Sequence, residues 1–254
     1  MLNKKLLTAA IGATLLAGTT ATAVQAFDLS ANVALVSDYR FRGISQTDTN
    51  AAIQGGFDAA FEPGFYLGTW ASSVDFGDID DGSGSYGTME IDYYTGWAGP
   101  IGDTDFAVDV GYAYYQYPGD TVDPVGDYQE FYIKPSWKDL SIGVTYSDDY
   151  YAETGEAWYY NADYSLSFME DFSVGFHVGY SDYEDEGVLG YYVDGNGNLT
   201  AEDAYTDYSV TFGYTFKGVD FSVAWVGTDL DDEECFDSSG LCDDTAVFSI
   251  SKSL

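Results

Sequence analysis

From Phe172 to Tyr180 the chain reads F-S-V-G-F-H-V-G-Y. Phe172, Val174, Phe176, Val178 and Tyr180 fall on one face of an extended chain; Ser173, Gly175, His177 and Gly179 fall on the other. A period of two predicts a strand, because successive side chains alternate across the pleat. Aromatic and β-branched residues suit a strand that meets an apolar medium. The unit recurs along the chain. Leu29, Ala31, Val33, Leu35, Tyr39 and Phe41 oppose Asn32, Asp38, Arg40 and Arg42 in a first strand starting near Asp28. Ile53, Phe57, Ala59 and Phe61 oppose Gln54, Gly56, Asp58 and Glu62. A less regular strand spans Phe65 to Val74. Met89, Ile91, Tyr93 and Trp97 oppose Glu90, Asp92, Tyr94 and Gly96. Phe106, Val108, Val110, Tyr112 and Tyr114 oppose Ala107, Asp109, Gly111 and Ala113. Further strands carry Phe131, Ile133 and Trp137 against Tyr128, Glu130, Tyr132 and Lys134, then Leu140 to Tyr146, then Trp158 to Phe168 with Asn161 and Asp163 opposed. After the Phe172 strand come Tyr208 to Phe216, with Asp207 opposed, Val219 to Trp225, with Asp220 opposed, and a last strand over Ala246 to Leu254.

These strands predict an all-β fold of about twelve strands, each near the roughly 9–11 residues that cross a bilayer obliquely. The connections alternate between long and short. Gly43–Asn50, Asp75–Thr88, Pro118–Gly126, Ser147–Glu156, Ser181–Tyr205 and Gly227–Thr245 are long. Pro63-Gly64, Lys138-Asp139, Glu170-Asp171 and Lys217-Gly218 are tight turns. A soluble sandwich has no reason to sort its loops this way. A transmembrane antiparallel up-and-down barrel does, with short periplasmic turns and long extracellular loops. Tyr39, Phe41, Trp97, Trp137, Trp158 and Trp225 are expected outward near strand ends, where amphipathic rings meet the membrane interface.

Composition narrows the classes. The 254 residues carry 43 Asp plus Glu against 8 Lys plus Arg, a formal net charge of −35, which excludes a nucleic-acid footprint. An 18% aromatic content argues against disorder. Lys4 and Lys5, the apolar Leu6–Leu16 and the small residues ending at Ala26 read as a secretory signal peptide over 1–26, cleaved before Phe27. Residues 27–254 then form one barrel domain in the outer membrane of a Gram-negative cell.

The run S-D-Y-R-F-R-G-I-S-Q-T (Ser37–Thr47), with I-Q-G-G-F-D (Ile53–Asp58), G-F-Y-L-G-T-W-A-S (Gly64–Ser72) and the ending F-S-I-S-K-S-L (Phe248–Leu254), resembles the TorF family of porins. The resemblance implies an outer-membrane barrel with a channel role and supplies no catalytic residues. The last strand also resembles the C-terminal signal read by the barrel-assembly machinery, with Leu254 in place of the more usual terminal aromatic.

Strand parity turns Asp58, Glu90, Asp92, Asp109, Glu130, Asp163 and Asp207 into the lumen, with Glu62 and Asp220, against Arg40, Arg42 and Lys134. Rings of carboxylates concentrate cations and repel anions. The expected function is passive diffusion of small hydrophilic solutes with cation preference. Arg40 and Arg42, two apart on the first strand, either set up a transverse field opposite the acidic wall or clamp a loop to it. The alternative is a closed barrel binding a ligand, metal ion or partner through its acidic loops. Asp194-Gly195-Asn196-Gly197-Asn198 has the beginning of a calcium loop but reads as a hairpin tip, since Leu199 and Tyr205 stand where a glycine and a bidentate Glu belong. Cys235 and Cys242, close together in an exported chain, predict a disulfide rather than a zinc site. His177, the one histidine, is expected inward among the pore-lining residues; without a serine partner it does not suggest an enzyme. No cofactor is expected. The expected partners are outer-membrane lipid and lipopolysaccharide, the solutes themselves and the assembly machinery.

Overall fold

The computed structural model describes residues 27–77, 84–185, 187–194, 196–236 and 240–254. The expected signal segment lies outside the described residues, as do the loop residues Asp78, Asp80, Asp81, Glu186 and Gly195. The long strands are β1 (Phe27–Val36), β2 (Ala52–Phe61), β3 (Phe65–Ser73), β4 (Met89–Pro100), β5 (Phe106–Gln116), β6 (Tyr128–Trp137), β7 (Leu140–Ser147), β8 (Ala157–Phe168), β9 (Phe172–Tyr183), β10 (Ala204–Phe216), β11 (Val219–Thr228) and β12 (Thr245–Ser253). These twelve form one closed antiparallel barrel; each pairs with its neighbours in sequence, and β1 pairs with β12. At the seam Leu35 lies opposite Ile250, and Ala31 and Leu254 exchange backbone hydrogen bonds of 3.3 and 2.8 Å. Closure leaves no unpaired strand edge, which a bilayer demands because lipid cannot hydrogen-bond to backbone.

The alternation sorts side chains as the sequence predicts. The outer face carries an apolar belt that stays open to its surroundings: Leu29 is 67% exposed, Phe57 62% and Phe248 60%. A soluble surface does not carry so extensive an apolar patch. Aromatic residues gather at both ends of the belt. At the short-turn end Phe106 stacks on Trp137 at 6.3 Å, and Phe172 lies 4.8 Å from Tyr214. Lys138 and Lys217 place their ammonium groups 4.7 and 5.3 Å from the ring centroids of Trp137 and Phe216. At the other end Trp158 packs 4.6 Å from Tyr146.

Two expected girdle residues are not there. Tyr39 and Phe41 do not extend β1, which stops at Val36. They sit inside the barrel, Tyr39 edge-on to Trp70 at 5.3 Å and Phe41 edge-on to Tyr115 at 6.0 Å. The Asp38 side chain is the physical reason, because it gathers Arg40, Ser45 and Thr47 into a local turn that takes the backbone off the barrel wall. Glu62, expected on the inner wall, is exposed in the turn between β2 and β3.

The inner wall interlocks tyrosine with glycine. Gly68, Gly96 and Gly111 lie directly opposite Tyr94, Tyr66 and Tyr132 on neighbouring strands. A Cβ at any of the three would run into the facing tyrosine ring. The glycines thus let three rings lie flat across the wall toward the lumen acids.

Candidate functional site in the barrel lumen

The segment between β1 and β2 enters the lumen from the long-loop end. Asp38 accepts from Arg40 Nε and Ser45 Oγ, each at 2.6 Å. Two short strands, Arg40–Phe41 and Ile44–Ser45, pair about a tight turn at Arg42-Gly43, both at positive φ (49° and 83°). Glycine is required at position 43, where a Cβ would lie 2.5 Å from Thr228 Cγ2.

The two arginines therefore stand on an inward hairpin rather than on the first strand. Arg40 Nη1 donates to the carbonyls of Leu241, Gly43 and Asp243 at 2.7, 3.0 and 3.2 Å. It thereby ties the hairpin to the last long loop, which the Cys235–Cys242 disulfide closes with a Cα separation of 6.1 Å. Arg42 reaches across the barrel. Its Nη2 donates to Glu130 Oε1 at 2.6 Å, and its guanidinium lies 4.2 Å from the Tyr159 ring centroid and 4.7 Å from that of Phe41. Tyr115 donates to the other Glu130 oxygen at 3.0 Å, and Tyr205 donates to the Arg42 carbonyl at 3.0 Å.

The remaining acids take different partners. His177 lies with Nδ1 2.6 Å from Asp163 and Nε2 2.9 Å from Asp207, bridging two carboxylates. Tyr159 donates to Asp207 at 3.0 Å, and Asn161 donates to Asp163 at 2.6 Å. Tyr66 donates to Asp109 at 2.6 Å, and Lys134 is the strand partner of Asp109. Tyr94 donates to Asp58, and Tyr39 donates to Glu90 at 2.8 Å. One oxygen each of Asp58, Asp92 and Asp109 has no hydrogen-bond partner.

Arg42, Asp92, Asp109, Glu130, Lys134, Asp163, His177 and Asp207 all line one cavity of about 430 Å³, to which Arg40 also contributes. Asp58 and Glu90 do not line it. Toward the long-loop end lies a stack of buried tyrosines: Tyr115 on Tyr128 at 4.4 Å, Tyr128 beside Tyr150 at 4.6 Å, and Tyr150 beside Tyr183 at 5.3 Å. The lumen is thus a charged chamber under an aromatic cap. Beyond the cap, the tip at Asp194 is a hairpin, with Val193 opposite Leu199. Backbone amides of Asn198 and Asn196 donate to the Asp194 carboxylate at 2.8 and 2.9 Å and hold it below its ordinary range. Among the described residues, no three His, Cys, Asp or Glu side chains are grouped so as to hold a metal ion.

A family model described as "Bacterial protein of unknown function (Gcw_chp)" matches residues 20–254. The chain belongs to the Gcw_chp family. No curated protein matches it. Among solved structures it is similar to the KdgM porin, with a TM-score of 0.51 and 11% identity over 88% of this chain and 97% of that one. A NanC porin structure gives 0.51 and 11% over 88% and 98%. At such identity the likeness establishes the fold alone: a closed antiparallel β-barrel of the kind those porins have.

Parity alone brought the lumen acids, Lys134 and His177 to the inner wall. It did not reveal the His177 bridge, because Asp163 and Asp207 lie on the strands either side of β9 and their register is not readable from one sequence. The aromatic cap was also missed. Its signal was present in Tyr115, Tyr128, Tyr159, Tyr183 and Tyr205, tyrosines at inward positions, where solvent-facing strands ordinarily place smaller polar residues.

Proposed function

We propose that this chain is an outer-membrane porin passing small hydrophilic solutes, with a preference for cations. The observation that carries the reading is the combination of an exposed apolar belt with an acidic, partly unpaired lumen. Carboxylates facing a narrow wet path attract cations, and low-dielectric walls focus that field. The long connections face outward from the cell and the short turns face the periplasm. The resemblance of Ser37–Thr47 to TorF porins points the same way. Residues 1–26 are the export signal, and the final strand is the contact for the assembly machinery. The belt meets lipid, with lipopolysaccharide in the outer leaflet. The pore-lining set is Arg42, Asp92, Asp109, Glu130, Lys134, Asp163, His177 and Asp207, with Arg40 holding the hairpin; Asp58 and Glu90 support the wall behind it. No enzymatic role is proposed; the Tyr159 hydroxyl, 2.9 Å from His177 Nε2, also donates to Asp207 and belongs to the same bridge.

A second reading rests on the aromatic cap. If the inward hairpin and the tyrosines close the lumen permanently, the acidic loops become the working surface for a ligand or partner. Bilayer conductance separates the readings. Under a KCl gradient the porin gives discrete steps and a cation-selective reversal potential. Asp109→Asn with Asp163→Asn reduces that selectivity; an unchanged reversal potential would count against the acidic-wall account.

A further inference from the structure

Asp92 is an acid of the chamber with an unpaired oxygen and no cationic strand partner. It is 1% exposed and lines the cavity, yet Oδ1 has no hydrogen-bond partner. A buried carboxylate oxygen left unpaired costs free energy that a bound donor would recover. Asp109 also has an unpaired oxygen, but its strand partner is Lys134. The strand partners of Asp92 are Trp70 on β3 and Tyr115 on β5. Both rings are buried, and both line the same cavity. Directly opposed side chains on one face of a sheet have Cβ atoms roughly 4.5–5.5 Å apart, so the carboxylate lies between two aromatic rings. An unpaired carboxyl oxygen flanked by electron-rich rings is a receptor for a cationic N–H donor.

The protein already seats one cation in this way. The Arg42 guanidinium occupies an equivalent environment, a carboxylate (Glu130) and two rings (Phe41 and Tyr159). Asp92, nearby on the same cavity, has no such partner. We infer that Asp92, Trp70 and Tyr115 form a binding site for a small organic cation bearing N–H donors, a guanidinium or primary ammonium group. The donors satisfy the free oxygen, the charge meets the carboxylate, and the rings cover the apolar remainder. A cavity of about 430 Å³ suits a small solute. A chelated metal ion fits less well, since no group of three ligating side chains is present among the described residues. The inference rests on the porin reading for its biological meaning, because it names the solute class that the pore favours.

The test uses the full refolded barrel in detergent micelles, with methylguanidinium as probe and isothermal titration as readout, alongside KCl conductance on the same preparation. Saturable binding is expected, weakened at least tenfold by Asp92→Asn and likewise by Trp70→Leu. Absence of saturable binding, or binding unchanged in both variants, overturns the site. Channel steps in KCl without methylguanidinium binding would sink this inference and leave the porin reading standing. Binding that is lost in Asp92→Asn, with no channel steps, would uphold the site and remove the pore. The shape-conserving Asn variant keeps the wall packing, and the independent Trp70 variant decides the matter if Asp92→Asn does not fold.

Discussion

At the scale of single residues, the molecule turns on how each lumen charge is paired. Arg42 is buried against Glu130, with side-chain exposures of 7% and 4%. Removing one partner of such a pair leaves the other charged and dry, which costs far more than the pair contributes as a unit. Arg42→Ala is therefore expected to lower stability by about 3 kcal/mol in urea unfolding of the micelle-bound protein. It also frees the hairpin tip, so single-channel steps should enlarge; steps of unaltered size would mean that the hairpin does not constrict the path. Asp194 offers a pH test outside the membrane. Its carboxyl is held below the ordinary range by amide donors, so the hairpin-tip bonds are intact above the unfolded carboxyl pKa of about 4. They are lost as pH falls through the depressed folded value. The Asn196 and Asn198 amide resonances should hold steady from neutral pH to about 4 and shift only below it; movement at higher pH would contradict the bonding described.

At the scale of elements, strands and loops obey different rules, and that difference explains what was legible in the sequence. Strand faces were readable because alternation has a period of two and the two media, lipid and lumen, differ sharply in polarity. Leu29 through Leu35, or Phe172 through Tyr180, needed no further information. The alternation overshoots the first strand because Tyr39 and Phe41 keep it after Val36 while the backbone has already left the wall. What redirects it is Asp38 meeting Ser45 and Thr47, a contact across seven to nine residues that pattern reading does not register. The run Ser37–Thr47, one of those that resemble TorF porins, contains the inward hairpin. Cys235–Cys242 was readable from spacing, but its consequence was not: Leu241 within that loop accepts from both Arg40 and the Ser45 amide. Closing so short a loop is worth about 2–3 kcal/mol of chain entropy. Reduction is expected to leave the barrel folded while raising hydrogen exchange across 37–51 as well as 229–244; faster exchange confined to the last loop would break the proposed coupling. On the wall, Gly111→Ala sets a methyl against the Tyr132 ring and should cost about 1–3 kcal/mol. A variant as stable as the parent would show that the ring has room to move.

At the scale of the whole molecule, the barrel resolves a conflict that composition alone makes puzzling. A chain with a net charge of −35 and 18% aromatic residues is too acidic for an ordinary core and too aromatic for a disordered one. The closed sheet separates the two demands. It gives the aromatics to the lipid belt, its girdles and the cap, and the acids to the lumen and the outer loops. At this scale function comes down to conduction through the lumen past its own hairpin. Single-channel recording of the refolded protein in a planar bilayer under a KCl gradient addresses it most directly. Discrete conductance steps with a reversal potential on the cation-selective side are expected if the lumen is an acidic pore. Folded protein that inserts yet gives no steps would contradict that reading, and would make the acidic loops rather than the lumen the seat of function.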